Sequence, residues 1–315
     1  MATHELAADA LHYCWDNSLA PRLEIESGDT VIFETRDASD GQIKPGYTTE
    51  QYRKRVFKGH PLTGPVFIKG AAPGDTLQIE VLTVQTAKWG WTGFRPTAGL
   101  LPNDFPEPYL HIWQWEDPAV PEGWAEFKPG IRVPLEPFCG VMGLAWDEPG
   151  QHSTMPPRAA GGNMDIKQLT SESVLQLPVR VAGGLFSVGD CHAAQGDGEV
   201  CVSAIETNGL ISLRFTLKKN FSIPEPRLWT GRQASPRAGA QGYFATTAHA
   251  PDLHHATRQA VRYMIEYLVD TYQLTREEAY VLCSVAVDLK ISQIVDAPNW
   301  TVSAFLPNVL FANQK

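Results

Sequence analysis

Apolar and polar positions alternate through the first two-thirds of the chain. Arg22-Leu23-Glu24-Ile25-Glu26 alternates, meets a Ser27-Gly28-Asp29 turn and leads into Thr30-Val31-Ile32-Phe33-Glu34-Thr35. A period of two on both sides of a turn predicts half-buried strands. The same design recurs at Ala72-Pro73-Gly74-Asp75, followed by a strand pattern from Thr76 to Val84. Repeated hairpins or a short chance match both produce such an echo. Residues 66–69, 131–136, 174–182, 199–206 and 210–217 carry further strand patterns. Towards the C-terminus the period becomes helical. Asp252 can cap a helix in which Leu253, Ala256, Ala260, Val261, Met264, Ile265 and Leu268 form one apolar stripe. Thr275-Arg276-Glu277-Glu278 fits a capping box opening a second helix to about Val285, and strands are expected at 287–295 and 299–306.

These elements predict a mainly β protein: a β-sandwich, jelly-roll-like N-terminal part, a central β region and an α+β C-terminal part. The divisions fall at 1–135, 136–218 and 219–315, and no Ser/Gly-rich or low-complexity linker marks them, so the parts are expected to interlock. Residues 87–130 differ in character, with Trp89, Trp91, Trp113, Trp115 and Trp124 among seven prolines. Aromatic side chains in that density must pack against something. The segment reads as an ordered insertion serving as a lid, a pocket wall or a subunit contact.

Composition narrows the function classes. With 43% hydrophobic and 19% charged residues, the 315-residue chain is an ordinary globular enzyme in balance and far from disorder. A net charge of −9 without any Lys/Arg run argues against a nucleic-acid partner. Neither an 18-residue apolar stretch nor a basic-then-apolar start is present, so no membrane association and a cytoplasmic location are expected. Five cysteines without CxxC spacing make a disulfide framework or a cysteine zinc site a poor fit. A homo-oligomer, with a dimer as the default, is the expected assembly.

The chemistry concentrates at Gly189-Asp190-Cys191-His192-Ala193-Ala194-Gln195-Gly196-Asp197-Gly198-Glu199. Three carboxylates, an imidazole and an amide stand within ten residues, directly after the apolar run Leu185-Phe186-Ser187-Val188. Unpaired carboxylates are costly to bury, and a metal ion or a polar substrate is the usual compensation. Upstream, Gly161-Gly162-Asn163-Met164-Asp165 forms another polar, glycine-rich turn. Asn163 and Asp165, Asp190 and His192, and Asp197 and Glu199 are each two apart, and side chains at i and i+2 of extended backbone share a side. Two such pairs from neighbouring segments can converge on one ion or one small substrate. A set of oxygens with one imidazole suits Zn²⁺, Mn²⁺, Mg²⁺ or Ca²⁺ without choosing among them. Gly196-Asp197-Gly198 also reads as a plain hairpin tip. An EF-hand fails because Gln195 occupies the sixth position from Asp190, and no Walker lysine is present.

Several segments together resemble the acetamidase/formamidase family. They are Thr63-Gly64-Pro65-Val66, Gly70 to Leu77, Met155-Pro156-Pro157-Arg158, Gly162-Asn163-Met164-Asp165 and Leu185 to Glu199, which occur in the family's order across roughly residues 10 to 305. The resemblance implies a β-rich hydrolase that cleaves the C–N bond of small linear amides such as formamide or acetamide to carboxylate and ammonia. A γ-lactam hydrolase on the same scaffold, or a non-catalytic small-amide or metal-binding module, are the alternatives. A divalent metal, Zn²⁺ first, is expected on Asn163, Asp165, Asp190 and His192. Glu199 or Asp197 is the expected general base, with Gln195 beside them in the catalytic set. A metal-free site, in which a carboxylate activates water and backbone amides of the glycine-rich turn hold the oxyanion, is the other route. Arg158 and Asp37 are candidates for substrate binding, although each also fits a loop-holding role. The chain departs from the family at Cys191, where a small residue is usual. Next to His192 in extended backbone, Cys191 should face the other way and be buried, not nucleophilic. Glu206 is a lesser candidate, and His60, His111, His152 and His249 read as structural.

Overall fold

The computed structural model describes residues 1–116, 123–223, 226–229, 243–293 and 300–311. Its first ten strands are β1 (Thr3–Leu6), β2 (Leu11–His12), β3 (Leu23–Ile25), β4 (Thr30–Thr35), β5 (Leu62–Ile68), β6 (Thr76–Thr86), β7 (Trp89–Phe94), β8 (Tyr109–Gln114), β9 (Trp124–Lys128) and β10 (Ile131–Pro134). There follow β11 (Phe138–Leu144), β12 (Gly161–Asn163), β13 (Val174–Pro178), β14 (Phe186–His192), β15 (Glu206–Thr207), β16 (Gly209–Lys218), β17 (Arg227–Trp229), β18 (Tyr243–Ala250), β19 (Asp288–Gln293) and β20 (Trp300–Pro307). Helices are α1 (Thr49–Arg53), α2 (Leu253–Tyr272) and α3 (Arg276–Ala286). None among the described residues is long and apolar enough to cross a membrane.

Strand β16 shows how the alternation becomes a layer. Ile211, Leu213 and Phe215 are fully buried, while Leu210, Ser212 and Arg214 alternate outward. It pairs antiparallel with β4 on one side and β6 on the other, within the sheet β1-β4-β16-β6-β13-β17. Both Gly-Asp-Thr turns therefore launch neighbours of the same strand. In each, the Asp carboxylate caps its own turn: Glu26 N–H donates to Asp29 at 3.0 Å and Ala72 N–H to Asp75 at 2.9 Å. A second sheet runs β12-β11-β14-β15-β7-β8, with β5 pairing β14, β2 and β3. The inner faces of the two sheets share one apolar core. Phe186 of the second sheet meets Phe33 and Phe215 of the first edge-on, at ring separations of 5.9 and 5.0 Å. This is the sandwich that the alternating pattern predicts.

The C-terminal part packs α2 and α3 on the small sheet β18-β20-β19. Asp252 caps α2 by accepting from His255 N–H at 2.6 Å, and Thr275 with Glu278 forms the capping box of α3. The apolar stripe Ala256, Ala260, Val261, Met264, Ile265, Leu268 is buried throughout. The tryptophan-rich segment supplies β7, β8 and β9. Trp113 and Trp115 enter the core shared with the helices, whereas Trp91 packs on Tyr52 of α1. Tyr280 of α3 stacks on Phe105 at 4.3 Å, which joins the two parts.

The structure corrects one strand boundary that bears on the site. Residues 199–206 are not a strand: Gly196 to Val202 turn twice, through Glu199 N–H to Gly196 O and Val202 N–H to Glu199 O, and only Glu206–Thr207 pair as β15. Glu199 and Val202 take left-handed φ values of 41° and 74° within these turns.

His111 of β8 gives the fold a measurable acid sensitivity. Its ring sits 4.6 Å from Trp113 and 4.7 Å from Phe127, and burial pushes its pKa down to about 4, against the pull of Glu278. The unfolded chain takes up this proton near pH 6.5 and the folded chain does not, so the associated stability is complete above 6.5 and declines as the pH falls towards 4. His111→Phe is expected to lose less urea stability than the parent between pH 7 and 4.5. Parallel pH curves for the two proteins would refute the assignment.

Candidate active site

Strand β14 carries the chemistry by breaking its own alternation. Phe186 and Val188 enter the sandwich core, and strict alternation would send Asp190 after them. Asp190 instead has φ 55°, and Cys191 takes the core side, paired with Cys139 of β11. Asp190 and His192 then stand together, with Asp190 Oδ2 3.4 Å from His192 Nε2. Glu206 arrives from β15, whose register sets it opposite His192, and its Oε2 lies 3.3 Å from the same Nε2. The turn after β12 brings Asp165, itself at φ 49°, by donating Met164 and Asp165 N–H to the carbonyl of Gly140. Left-handed non-glycine residues cost about 1–3 kcal/mol each and collect at functional sites. Three of them, Asp165, Asp190 and Glu199, carry carboxylates of this cluster.

Gly140 of β11 is the floor of the arrangement. A Cβ there would sit 2.5 Å from Asp165 Oδ1, 2.8 Å from His192 Cε1 and 2.9 Å from Asp190 Oδ2. Gln195 sets the imidazole. Its Nε2 donates to Asp165 O at 2.9 Å, which fixes the amide so that its oxygen accepts from His192 Nδ1 at 2.9 Å. A proton on Nδ1 leaves the Nε2 lone pair of neutral His192 facing the carboxylates.

Charges are pushed apart within the cluster. Burial raises Glu206 to about 7 and Asp165 to about 6, each with the Asp190 charge adding to the effect. Burial works the same way on Asp190, but His60 and His192 outweigh it and hold its carboxyl below the usual range. His192 is raised despite its burial, by Glu206 and Asp190, and burial with the neighbouring Asp165 raises Glu199. Asp190, Glu199 and Glu206 line a cavity of about 190 Å³, together with His60, Asn163, Tyr52, Phe57 and Trp91. Pockets for drug-sized ligands run to about 300–1,000 Å³, so the space suits a small molecule.

The donor set fits a divalent cation. Asp165 Oδ1, Asp190 Oδ1, His192 Nε2, Glu206 Oε2 and Asn163 Oδ1 are all buried without a hydrogen-bond partner among the described residues. Such orphaned acceptors are expensive unless something positive meets them. Ligand atoms of Asp165, Asp190 and His192 lie within 4.8 Å of one another, as do those of His192, Glu199 and Glu206.

The model of the Acetamidase/Formamidase family matches residues 2–151 and 148–313. The chain belongs to that family. The formamidase of Methylophilus methylotrophus is 28% identical to it over 363 residues, spanning 96% of this chain and 89% of the relative. The acetamidase of Mycolicibacterium smegmatis is 26% identical over 270 residues, 66% of each protein. Among solved structures, the gamma lactamase from Delftia acidovorans superposes with a TM-score of 0.90 at 26% identity, covering 98% of this chain and 93% of that one. The acetamidase from Bacillus halodurans does so with 0.67 at 33% identity, covering 98% of both.

Of the residues singled out in the sequence, the fold brings Asn163, Asp165, Asp190, His192, Gln195 and Glu199 together. Asp197 does not join them. It turns to Lys167 at 3.5 Å and Gln168 at 3.4 Å, because the tight turn at Gly196 to Glu199 separates two side chains that an extended strand would align. Arg158 lies over the Trp146 ring at 4.2 Å and is not part of the cavity wall. Asp37 is buried one layer behind the wall, where it accepts from Trp91 Nε1 at 3.0 Å and from the N–H groups of Ser39 and Gly41. Cys191 faces the sandwich core, and its thiol is pushed up by Cys139 and by burial.

The cluster also includes two groups that local reading undervalued. His60 Nε2 comes within 3.9 Å of Asp190 Oδ2, and Glu206 stands against His192. His60 reaches the site because β5, which follows it, pairs with β14 at Leu62 and Gly189. Nothing in the spacing around Gly59-His60-Pro61 announces that pairing.

Gly140→Ala is expected to keep the fold, by circular dichroism and melting, while ammonia release from amides drops by about 10²-fold, the cost of displacing reacting groups by an ångström. Parent-like turnover in a folded variant would show that the cluster is not the active site.

Proposed function

We propose that the protein is an amidase that hydrolyses the C–N bond of short amides to carboxylate and ammonia, with water activated at the Asp165-Asp190-His192-Glu199-Glu206 cluster. The observation that carries this reading is the set of buried, orphaned nitrogen and oxygen acceptors around a small cavity, in a chain that matches the family from end to end. Asp165, Asp190 and His192 are the residues to hold a divalent ion, with Asn163 Oδ1 beside them. Zn²⁺ is the first ion to test, since a mixed imidazole–carboxylate set suits it. When bound, the ion supplies Lewis-acid polarisation of a carbonyl and a water acidified towards neutrality.

The chain's own residues do the rest. Glu199 lines the cavity and its carboxylate makes no hydrogen bond to another described residue, so it is free to work. With its pKa raised, it can take a proton from the attacking water and return it to the departing nitrogen. Glu206 is committed by accepting from Ala204 N–H at 3.0 Å, and it braces His192. Gln195 holds the imidazole in one tautomer. Asp37 positions Trp91 in the cavity wall.

Two substrate classes follow. Linear amides are the first, as the names of the sequence relatives suggest. The closer superposition on the gamma lactamase supports cyclic amides as a second reading. A screen of formamide, acetamide, propionamide and 2-pyrrolidinone, read by ammonia release or ring opening, separates them. Glu199→Gln is expected to lower kcat by about 10²–10⁴-fold with little change in stability. Dialysis against a chelator is expected to abolish turnover, and one divalent ion to restore it. Full turnover in protein shown by elemental analysis to be free of metal would remove the ion from the reading.

A further inference from the structure

The cavity has a cationic part that amide cleavage does not use. Arg55, just after α1, and Arg95, just after β7, both line it. Their planes are fixed by aromatic rings and backbone carbonyls. The Arg55 guanidinium lies 5.1 Å from the Trp91 ring centre and 5.8 Å from that of Tyr52, and Arg95 lies 5.2 Å from Tyr52. Arg55 Nη1 donates to Ala38 O at 3.3 Å, and Arg95 Nη2 donates to Arg55 O at 2.7 Å. Neither guanidinium contacts a carboxylate among the described residues, and both Nε atoms are buried without a partner. Arg36, Arg53, Arg214 and Arg262 each do have a carboxylate in contact. Glu206 and Asp37 attract Arg55 only from beyond contact distance, and both are already engaged by other donors.

Stacking orients a guanidinium but does not neutralise it, and a half-buried charge without a counter-charge is unfavourable. A neutral amide cannot relieve this. Its single carbonyl oxygen is needed at the reacting centre, and it brings no charge. The planar fork of Arg matches a carboxylate, to which it makes charge-assisted paired hydrogen bonds. Resting on the amidase reading, we infer that Arg55 and Arg95 recognise a carboxylate at the far end of the substrate's acyl chain. The preferred substrates are then short monoamides of dicarboxylic acids, and the cavity volume limits the acyl chain to a few carbons.

The test compares matched pairs on the purified full-length protein: propionamide with malonamate, and butyramide with succinamate. Ammonia release is expected to favour the anionic member by at least about tenfold in kcat/KM, the scale of one charge-assisted pair. In Arg55→Met and Arg95→Met that ratio should collapse, chiefly through KM, and Arg55→Lys should keep part of it. The ratio of two substrates on one preparation does not depend on the fraction of folded enzyme, so partial misfolding does not obscure the result. Equal or better turnover of the uncharged amides by the parent, or an unchanged ratio in the Met variants, overturns the inference and leaves the amidase reading standing. Release from neither class overturns both.

Discussion

Strand β14 is buried on both faces, and the left-handed backbone at Asp190 decides which face receives its acidic and basic groups. Before that residue the strand feeds Phe186 and Val188 into the sandwich core; after it, Cys191 takes the core side. Without the change of phase, a carboxylate would take the core side that Cys191 now occupies against Cys139 and Gly209, where an unpaired charge is prohibitive. The rest of the site is fitted to this point. Gly140 leaves room for it, and the Asp165 turn hangs from the Gly140 carbonyl. Gln195 ties the imidazole to that same turn.

The C-terminal part holds the loop at residues 196–199 in place from the other side. Gly196 N–H donates to Ser284 O at 2.8 Å, and Leu289 N–H donates to Asp197 O at 3.1 Å. A Cβ on Gly196 would meet Val287 O at 2.1 Å, so backbone packs directly against backbone there. Lys167 and Asp288 form a buried ion pair beside this contact, and Asp197 joins it. Asp197 thus serves the loop as an anchor, and Glu199, two residues on, is left to face the cavity. The helices α2 and α3 carry no group of the cluster, yet their packing sets where Glu199 stands.

Much of this was legible from local pattern. The alternation at 210–217, the caps at Asp252 and Thr275, and the shared side of Asp190 and His192 all follow from rules that act over a few residues. Side-chain parity along a strand also placed Cys191 away from His192. The same rule misjudged Asp197 with Glu199, because it presumes extended backbone and the glycines on both sides of Asp197 allow a turn. His60, read as structural, and Glu206, a lesser candidate, were undervalued for a different reason. Each enters the site through strand pairing with β14, across 130 and 14 residues of chain respectively, if counted from His60 and Glu206 to Asp190 and His192.

By itself, then, the sequence determined the β-rich architecture, the two capped helices, the family and the stretch of chain where the chemistry lies, since periodicity, capping and motif order are local properties. Only the tertiary structure decided which carboxylates face the cavity, that His60 and Glu206 stand among them, and that Arg55 and Arg95 share the same space. Those outcomes depend on register between distant strands and on backbone conformation at single residues, and neither is encoded in the spacing of side chains along the chain.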